Sequence, residues 1–394
     1  MSVGKSVSAQ SRRIAAVQAP VIPTVGRWLR ATPGTISFGQ GMVAYGPPPE
    51  ALEAARRFGG EPTDHRYGPV EGLPELAEAL EAKLAAENGI RVRPDSRLVI
   101  SAGSNMSFMN AILAIVDTDD EVIIPAPFYF NHEMGVMIAG ARPVIVQTQP
   151  DYQLDIDAIA GAITPRTRAV VTVSPNNPTG VVFPETTLRA VNQLCADRGI
   201  FHIHDEAYEH FTYPGAINFS PGSIAGSGTH TISMFSFSKG FGMASWRVGY
   251  MVAPERLWDA INKIQDTELV CPPAISQVTA IAALKVGAAY PRAGLAKLDR
   301  LRHMILAELR RPDVPCDTPD ANGAFYFFTR VRTSLDSMTV AERLIREHKV
   351  AVMPGSAFGA TSGCYLRISY GMLDDVTATE GLRRLTNGFR ALAL

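Results

Sequence analysis

The stretch HTISMFSFSKGFGMASWRVGY, residues 230–250, decides how the rest of the chain is read. Its first part, HTISMFS, is short, β-branched and apolar, the pattern of a strand buried on both faces. Ser, Lys and Gly follow at once, so the chain leaves a sheet edge at Lys239. Similar runs come before it: RLVIS at 97–101, EVIIP at 121–125, PVIVQ at 143–147, AVVTVS at 169–174 and IFHIHD at 200–205. The segments between them are long enough for crossover helices, which predicts an α/β fold: a large domain with a mostly parallel sheet flanked by helices. Ligands of such sheets bind beyond the carboxyl ends of the strands, so chemistry is sought in the residues just after each run.

After about residue 290 the rhythm changes. A charged helical stretch, AGLAKLDRLRHMILAELRR, leads to isolated strands GAFYFFT at 323–329, VAVM at 350–353 and YLRIS at 365–369, with helices near 338–347 and 373–392. This predicts a smaller α+β domain. The Gly- and Pro-rich segment Gln40 to Pro49 reads as a loop. The expected division is an N-terminal segment, 1–45, packing with the small domain, a large domain over 46–288 and a small C-terminal domain over 289–394.

The chain has 394 residues, with 37 Lys+Arg against 38 Asp+Glu and a formal net charge of -1. Neither sign accumulates in a block, which argues against nucleic acid or an anionic membrane as the main partner. No apolar run approaches the roughly 18–20 residues of a membrane span, and no secretory h-region is read at the N-terminus. Cys195, Cys271, Cys316 and Cys364 lack CxxC spacing, which argues against a metal site or disulfide framework and for a reducing, cytoplasmic location.

Lys239 at a strand end can be desolvated, leaving a neutral amine able to attack a carbonyl and form a Schiff base. Ser236 lies three residues before it and Arg247 eight after, which suits a carbonyl cofactor that carries a phosphate. IFHIHD ends in Asp205, with Tyr208 three residues on; a buried carboxylate there needs a cationic partner. SPNNPTG at 174–180 reverses the chain and presents Asn177. Gly103, Ser104 and Asn105 form a strand-to-helix junction whose free N–H groups can cradle a phosphate, and Tyr129 comes after another strand, placed to stack on a planar ring. Singly, each is open to another reading: Lys239 as a solvated loop lysine, Asp205 as a helix cap, Tyr129 as a core tyrosine. Their convergence on separate strand ends carries the weight.

SPNNPTG, HDEAY, SFSKGFGMASWRVG and YLRISYG, in this order, resemble the class I/II aminotransferases of the aspartate aminotransferase fold, fold type I of the pyridoxal-phosphate enzymes, from about Gly39 to the C-terminus. The resemblance implies pyridoxal 5'-phosphate held by Lys239, which also shuttles the substrate proton. It implies that Asp205 pairs with the pyridinium nitrogen with His132 behind it, and that Tyr208 and Asn177 bond the ring oxygen. Tyr129 stacks on the ring, and Gly103, Ser104, Asn105, Ser236 and Arg247 take the phosphate. By the same resemblance Arg367 binds the substrate α-carboxylate, with Asn177 and Gly41 beside it, and Tyr67 reaches the phosphate of a neighbouring subunit, which implies a homodimer with shared active sites. Many relatives read GxPDF at Gly41, where this chain has Met42, Val43, Ala44 and Tyr45; GQGMVAYGPPP is similar to a subgroup acting on methionine and aromatic amino acids.

The expected activity is ping-pong transamination between an L-amino acid and a 2-oxo acid. The rivals are a β-lyase or cyclising synthase of the same fold and a non-catalytic regulatory protein that binds the cofactor. An uncharged, methionine- or aromatic-like donor is expected from Phe38, Met42, Tyr45 and Phe358 near the site. The resemblance adds KIQDTELVCPPAISQ, where dicarboxylate-specific relatives place a partner-chain arginine and this chain holds Asp266 and Glu268, with a cationic donor attracted by Asp266 as the alternative.

Overall fold

The computed structural model describes residues 10–393; residues 1–9 of the expected N-terminal segment lie outside the described residues. A seven-stranded sheet is formed by β1 (Ser96–Ser101), β2 (Glu121–Ala126), β3 (Arg142–Gln147), β4 (Thr167–Val173), β5 (Phe201–Asp205), β6 (Thr231–Ser236) and β7 (Gly249–Pro254), in the spatial order β1-β7-β6-β5-β4-β2-β3. The β2–β3, β2–β4, β4–β5 and β5–β6 pairs are parallel, and β7 runs antiparallel to both of its neighbours. β7 is absent from the strands read in the sequence, because GYMVAP comes after the lysine turn without a helix to announce it.

Alternation along the strands buries both faces. Val122, Ile124 and Val171 pack with Phe108 and Ile112 of helix Ser104–Ile115, while Ile123 and Val170 pack with Leu188 and Val191 of helix Glu185–Arg198. The edge strand β3 departs from this: its residues are mostly half-buried or exposed, since only one neighbour covers it.

The second layer is an antiparallel sheet of β8 (Cys316–Asp317), β9 (Tyr326–Val331), β10 (Met353–Pro354) and β11 (Cys364–Ser369), ordered β10-β11-β9-β8. It packs with helices Leu295–Leu309, Ser337–His348 and Asp375–Leu392 around Phe327, Leu344, Ile368, Leu385 and Phe389. Two expectations are corrected. GAFYFFT is not one strand from Gly323: Gly323 makes only an isolated antiparallel bridge with Thr212, Ala324 has φ +49, and the ladder with β11 begins at Tyr326. VAVM is not one strand, because Val350–Ala351 pairs in parallel with Ile36–Ser37 while Met353–Pro354 pairs with β11. Helix Val21–Ala31, masked in the sequence by Pro20, Pro23 and Gly26, packs against helix Ser337–His348 and β10. Proline is tolerated in a first helical turn, where its missing N–H is not needed.

Ile203 is fully buried at the centre of β5. Ile203→Ala should lower the unfolding free energy by about 2–5 kcal/mol, read as a lower denaturant midpoint at unchanged slope. A native midpoint would contradict this packing.

Candidate active site

The sheet register assembles the site. Val173 pairs with Asp205, Asp205 with Met234, and Gly249 with both Ser236 and Ser101, so the ends of β1, β4, β5 and β6 share one edge. Because β7 is antiparallel, its beginning lies at that same edge, which is how Arg247 joins residues that stand beyond strand ends. Gly249 admits no side chain there: a Cβ would stand 2.7 Å from the Ser104 nitrogen.

A cavity of about 300 Å³ opens above this edge, lined by Ser104, Asn105, Tyr129, Asn177, Asp205, Tyr208, Ser236, Ser238, Lys239 and Arg247, among others. Asp205 is buried, with Oδ2 3.2 Å from His132 Nε2 and Oδ1 accepting from the Ala207 N–H at 3.0 Å. Thus the carboxylate that the sequence required to be paired has partners behind it, His132 and the Ala207 N–H, and lines the cavity. Tyr129 meets His132 edge-on, with ring centroids 5.2 Å apart. Asn177 lies in the turn after β4, where Asn176 accepts from Thr179, and its amide donates to the Tyr208 hydroxyl at 3.3 Å.

Lys239 Nζ donates to the Gly41 carbonyl at 2.5 Å. Burial, then the charges of Arg367 and Arg247, push its pKa down to about 8, so an appreciable neutral fraction exists near neutral pH. Arg247, in the left-handed region at φ +51, bonds Ala244 O, Ala102 O and Ser238 Oγ. Gly103 does not line the cavity itself; it makes room for this guanidinium, since a Cβ there would fall 2.1 Å from Arg247 Nη2. Arginine and the N-terminus of the 12-residue helix Ser104–Ile115 together suit a dianion.

A second chamber, about 390 Å³, adjoins the first through Tyr129, Asn177, Tyr208 and Lys239, and Arg367 lines it. Arg367 is only 4% exposed. Its Nη1 donates to Asn177 Oδ1 at 2.9 Å and its Nη2 to Gly39 O at 2.8 Å, while Nε has no partner among the described residues. The guanidinium lies over the rings of Tyr326 and Phe358, 4.7 and 4.9 Å from their centroids. Gly41 and Met42 also line this chamber, but Phe38 is core, Phe358 lies beneath Arg367, and Tyr45 turns toward the lysine main chain. The apolar wall comes instead from Ile22, Val25, Leu29, Phe130, Tyr326 and Met353.

Sequence reasoning misses Ser238 and Tyr326. Ser238 is signalled only as the hydroxyl adjoining Lys239; Tyr326 is hidden in an aromatic run that reads as core, yet its hydroxyl is 2.8 Å from that of Tyr208. Tyr67 is 83% exposed and lines neither chamber.

Below a pKa near 8 the neutral fraction of Lys239 grows tenfold per pH unit, and above it saturates. Acetylation of Lys239 in the free protein, monitored by mass spectrometry, should therefore level off near pH 8, whereas ordinary lysines continue rising to about 10.4. A Lys239 profile like that of surface lysines would refute the desolvated amine.

Residues 33–385 match the family described as aminotransferase class I and II. The chain is 33% identical over 392 residues to the aromatic aminotransferase ISS1 of Arabidopsis thaliana, covering 97% of this chain and 96% of that protein. It is 34% identical over 340 residues to an aspartate aminotransferase of Pyrococcus abyssi, covering 85% and 87%. The solved aspartate aminotransferase from Thermus thermophilus with maleate superposes with a TM-score of 0.89 at 31% identity, covering 97% of this chain and all of that one. With a match over most of its length, and with an amine, a carboxylate and an arginine at one sheet edge and a second arginine reaching the adjoining chamber from the small sheet, the chain belongs to the class I and II aminotransferases.

Proposed function

We propose that the enzyme uses pyridoxal 5'-phosphate to interconvert an uncharged L-amino acid, methionine- or aromatic-like, and its 2-oxo acid by a ping-pong mechanism. The observation that carries this reading is the placement of a desolvated amine, Lys239, between a buried carboxylate and a buried arginine in adjoining chambers. The donor set fits the cofactor. Arg247 and the N-terminus of helix Ser104–Ile115 suit its phosphate, Asp205 backed by His132 suits a protonated ring nitrogen, and Tyr129 offers a face to the ring. When bound, the cofactor supplies the electron sink that stabilises negative charge at the substrate α-carbon.

The protein's own groups do the rest. Asp205, held by His132 and the Ala207 N–H, would be the carboxylate that pairs with a protonated ring nitrogen. Tyr208, whose pKa burial holds well above the ordinary value, stays a neutral hydroxyl, and with Asn177 it donates to the ring oxygen. Arg367 binds the α-carboxylate through its planar donor fork and so fixes which face of the substrate meets Lys239. Lys239 Nζ, desolvated beside both chambers, would be the group that takes the proton from the substrate α-carbon. The aromatic sleeve of Tyr326 and Phe358 excludes water around Arg367, strengthening its hold.

The relatives bear both aromatic and aspartate names, so the side-chain preference rests on the second chamber. Apart from Lys239 and Arg367, its described lining carries no charged group. A second substrate carboxylate there would be desolvated without a partner. Tyr67, exposed on its own subunit, supports a homodimer in which it reaches the partner's phosphate. The proposed division into 1–45, 46–288 and 289–394 is supported by the strands of the seven-stranded sheet falling within 96–254 and those of the four-stranded sheet within 316–369, and four free cysteines support a cytoplasmic location. Among the described residues no single helix is long and apolar enough to cross a membrane.

Borohydride reduction with the cofactor should give a covalent adduct on Lys239, and Lys239→Ala should lose both adduct and turnover. An adduct on Lys263 or Lys285 would reassign the site. With one common oxo acid, kcat/KM for aspartate should fall at least about tenfold below that for phenylalanine or methionine, about 1.4 kcal/mol of transition-state binding; aspartate ranking first would overturn the specificity. Mixing Lys239→Ala chains with Tyr67→Phe chains should restore activity through one hybrid site lacking both lesions, and failure despite subunit exchange would count against sharing.

A further inference from the structure

The Gly39–Gly46 loop is fastened to the lysine turn at two separate points. Lys239 Nζ donates to Gly41 O, and the Tyr45 hydroxyl donates to the main-chain carbonyls of Lys239 and Gly240 at 3.2 and 3.1 Å. Tyr45 lines neither chamber. Its ring sits edge-on to Tyr290, with centroids 5.7 Å apart, and burial raises its pKa, so the hydroxyl remains a donor.

Tyr290 stands on the short helix Ala289–Ala293, which joins helix Ala274–Val286 of the large sheet's layer to helix Leu295–Leu309 of the small one. Its hydroxyl donates to Gly46 O at 2.7 Å. On the other side the loop presses on Gly242, where a Cβ would stand 2.5 Å from Tyr45 O and 2.6 Å from Gly46 O. The start of the loop meets Arg367 through Gly39 O. One strap therefore touches the lysine, the arginine and the connection between the two layers.

We propose that Tyr45 is a positioning residue, whose hydroxyl registers the Gly39–Gly46 loop and the Ala289–Ala293 connection onto the main chain of Lys239. Displacement of the small layer is then felt at the amine. The inference rests on the reading of Lys239 as the reactive group.

Tyr45→Phe removes one oxygen and keeps the ring. In the protein without cofactor or substrate, hydrogen exchange over residues 239–243 should quicken about tenfold while β5 is unaffected. In the holoenzyme, kcat with phenylalanine should fall about tenfold with KM within about twofold. Tyr290→Phe, which cuts the same strap one contact further away, should act in the same direction, and the double variant should lose less than the product of the two single losses. Unchanged exchange over 239–243 would overturn the proposal whatever the reaction proves to be. So would faster exchange throughout the molecule, which marks a merely structural role, or a raised KM at native kcat, which marks a substrate contact. Because the exchange readout needs no turnover, its failure is distinguishable from a failure of the functional reading, which the adduct on Lys239 reports.

Discussion

The pairing register of β4, β5 and β6 is the constraint on which the site depends. Side chains alternate along a strand, so a slip of one residue would exchange Asp205 for His204 at the cavity. These neighbours have opposite requirements. Asp205 is engaged by His132 and the Ala207 N–H, whereas His204, fully buried on the other face, bonds Thr172 Oγ1 at 2.7 Å and is pulled by desolvation down to a pKa of about 3. Each face of β5 is matched to one of them, and the alternatives would bury a charge without a partner. The hydrophobic alternation that fixes the register therefore also fixes the electrostatics.

Much of this is legible in the sequence for a physical reason. Strands of a parallel sheet are short apolar runs, and each gives way to a turn whose Gly, Asn, Pro or Ser marks the edge. Lys239 and Asn177 stand in such punctuation, Asp205 ends its apolar run and Arg247 is read from its spacing of eight residues after Lys239, so the sequence alone places them at one edge. The second chamber is not legible in the same way. Its wall comes from helix Val21–Ala31, from Tyr326 and from Met353, residues far apart in the chain and indistinguishable from core by local pattern. Phe38, Tyr45 and Phe358 flank the right segments and so look like pocket residues, but packing turns each elsewhere.

Charge in the site is economical. Two arginines oppose the protonation of the lysine, while Asp205, the one carboxylate lining the described cavity, is engaged from behind by His132 and the Ala207 N–H. The two adjoining chambers, lined by two arginines and a lysine against one carboxylate, favour anionic ligands on arrival, although the chain as a whole is nearly neutral.

The run Val350–Pro354 has a consequence of its own. Its first two residues hold Ile36–Ser37 in one ladder, its last two hold β11 in another, and Met353 pairs directly with Arg367. Phe38 closes the loop between them, donating to Ala351 O at 2.8 Å and accepting from the Ser369 N–H at 2.7 Å. Two registers thus share five residues with Val352 as the only spacer. Side chains here can be exchanged for others of similar volume, but an insertion or deletion of a single residue would put one ladder out of step with the other. This segment of the chain is free to drift in composition and is locked in length.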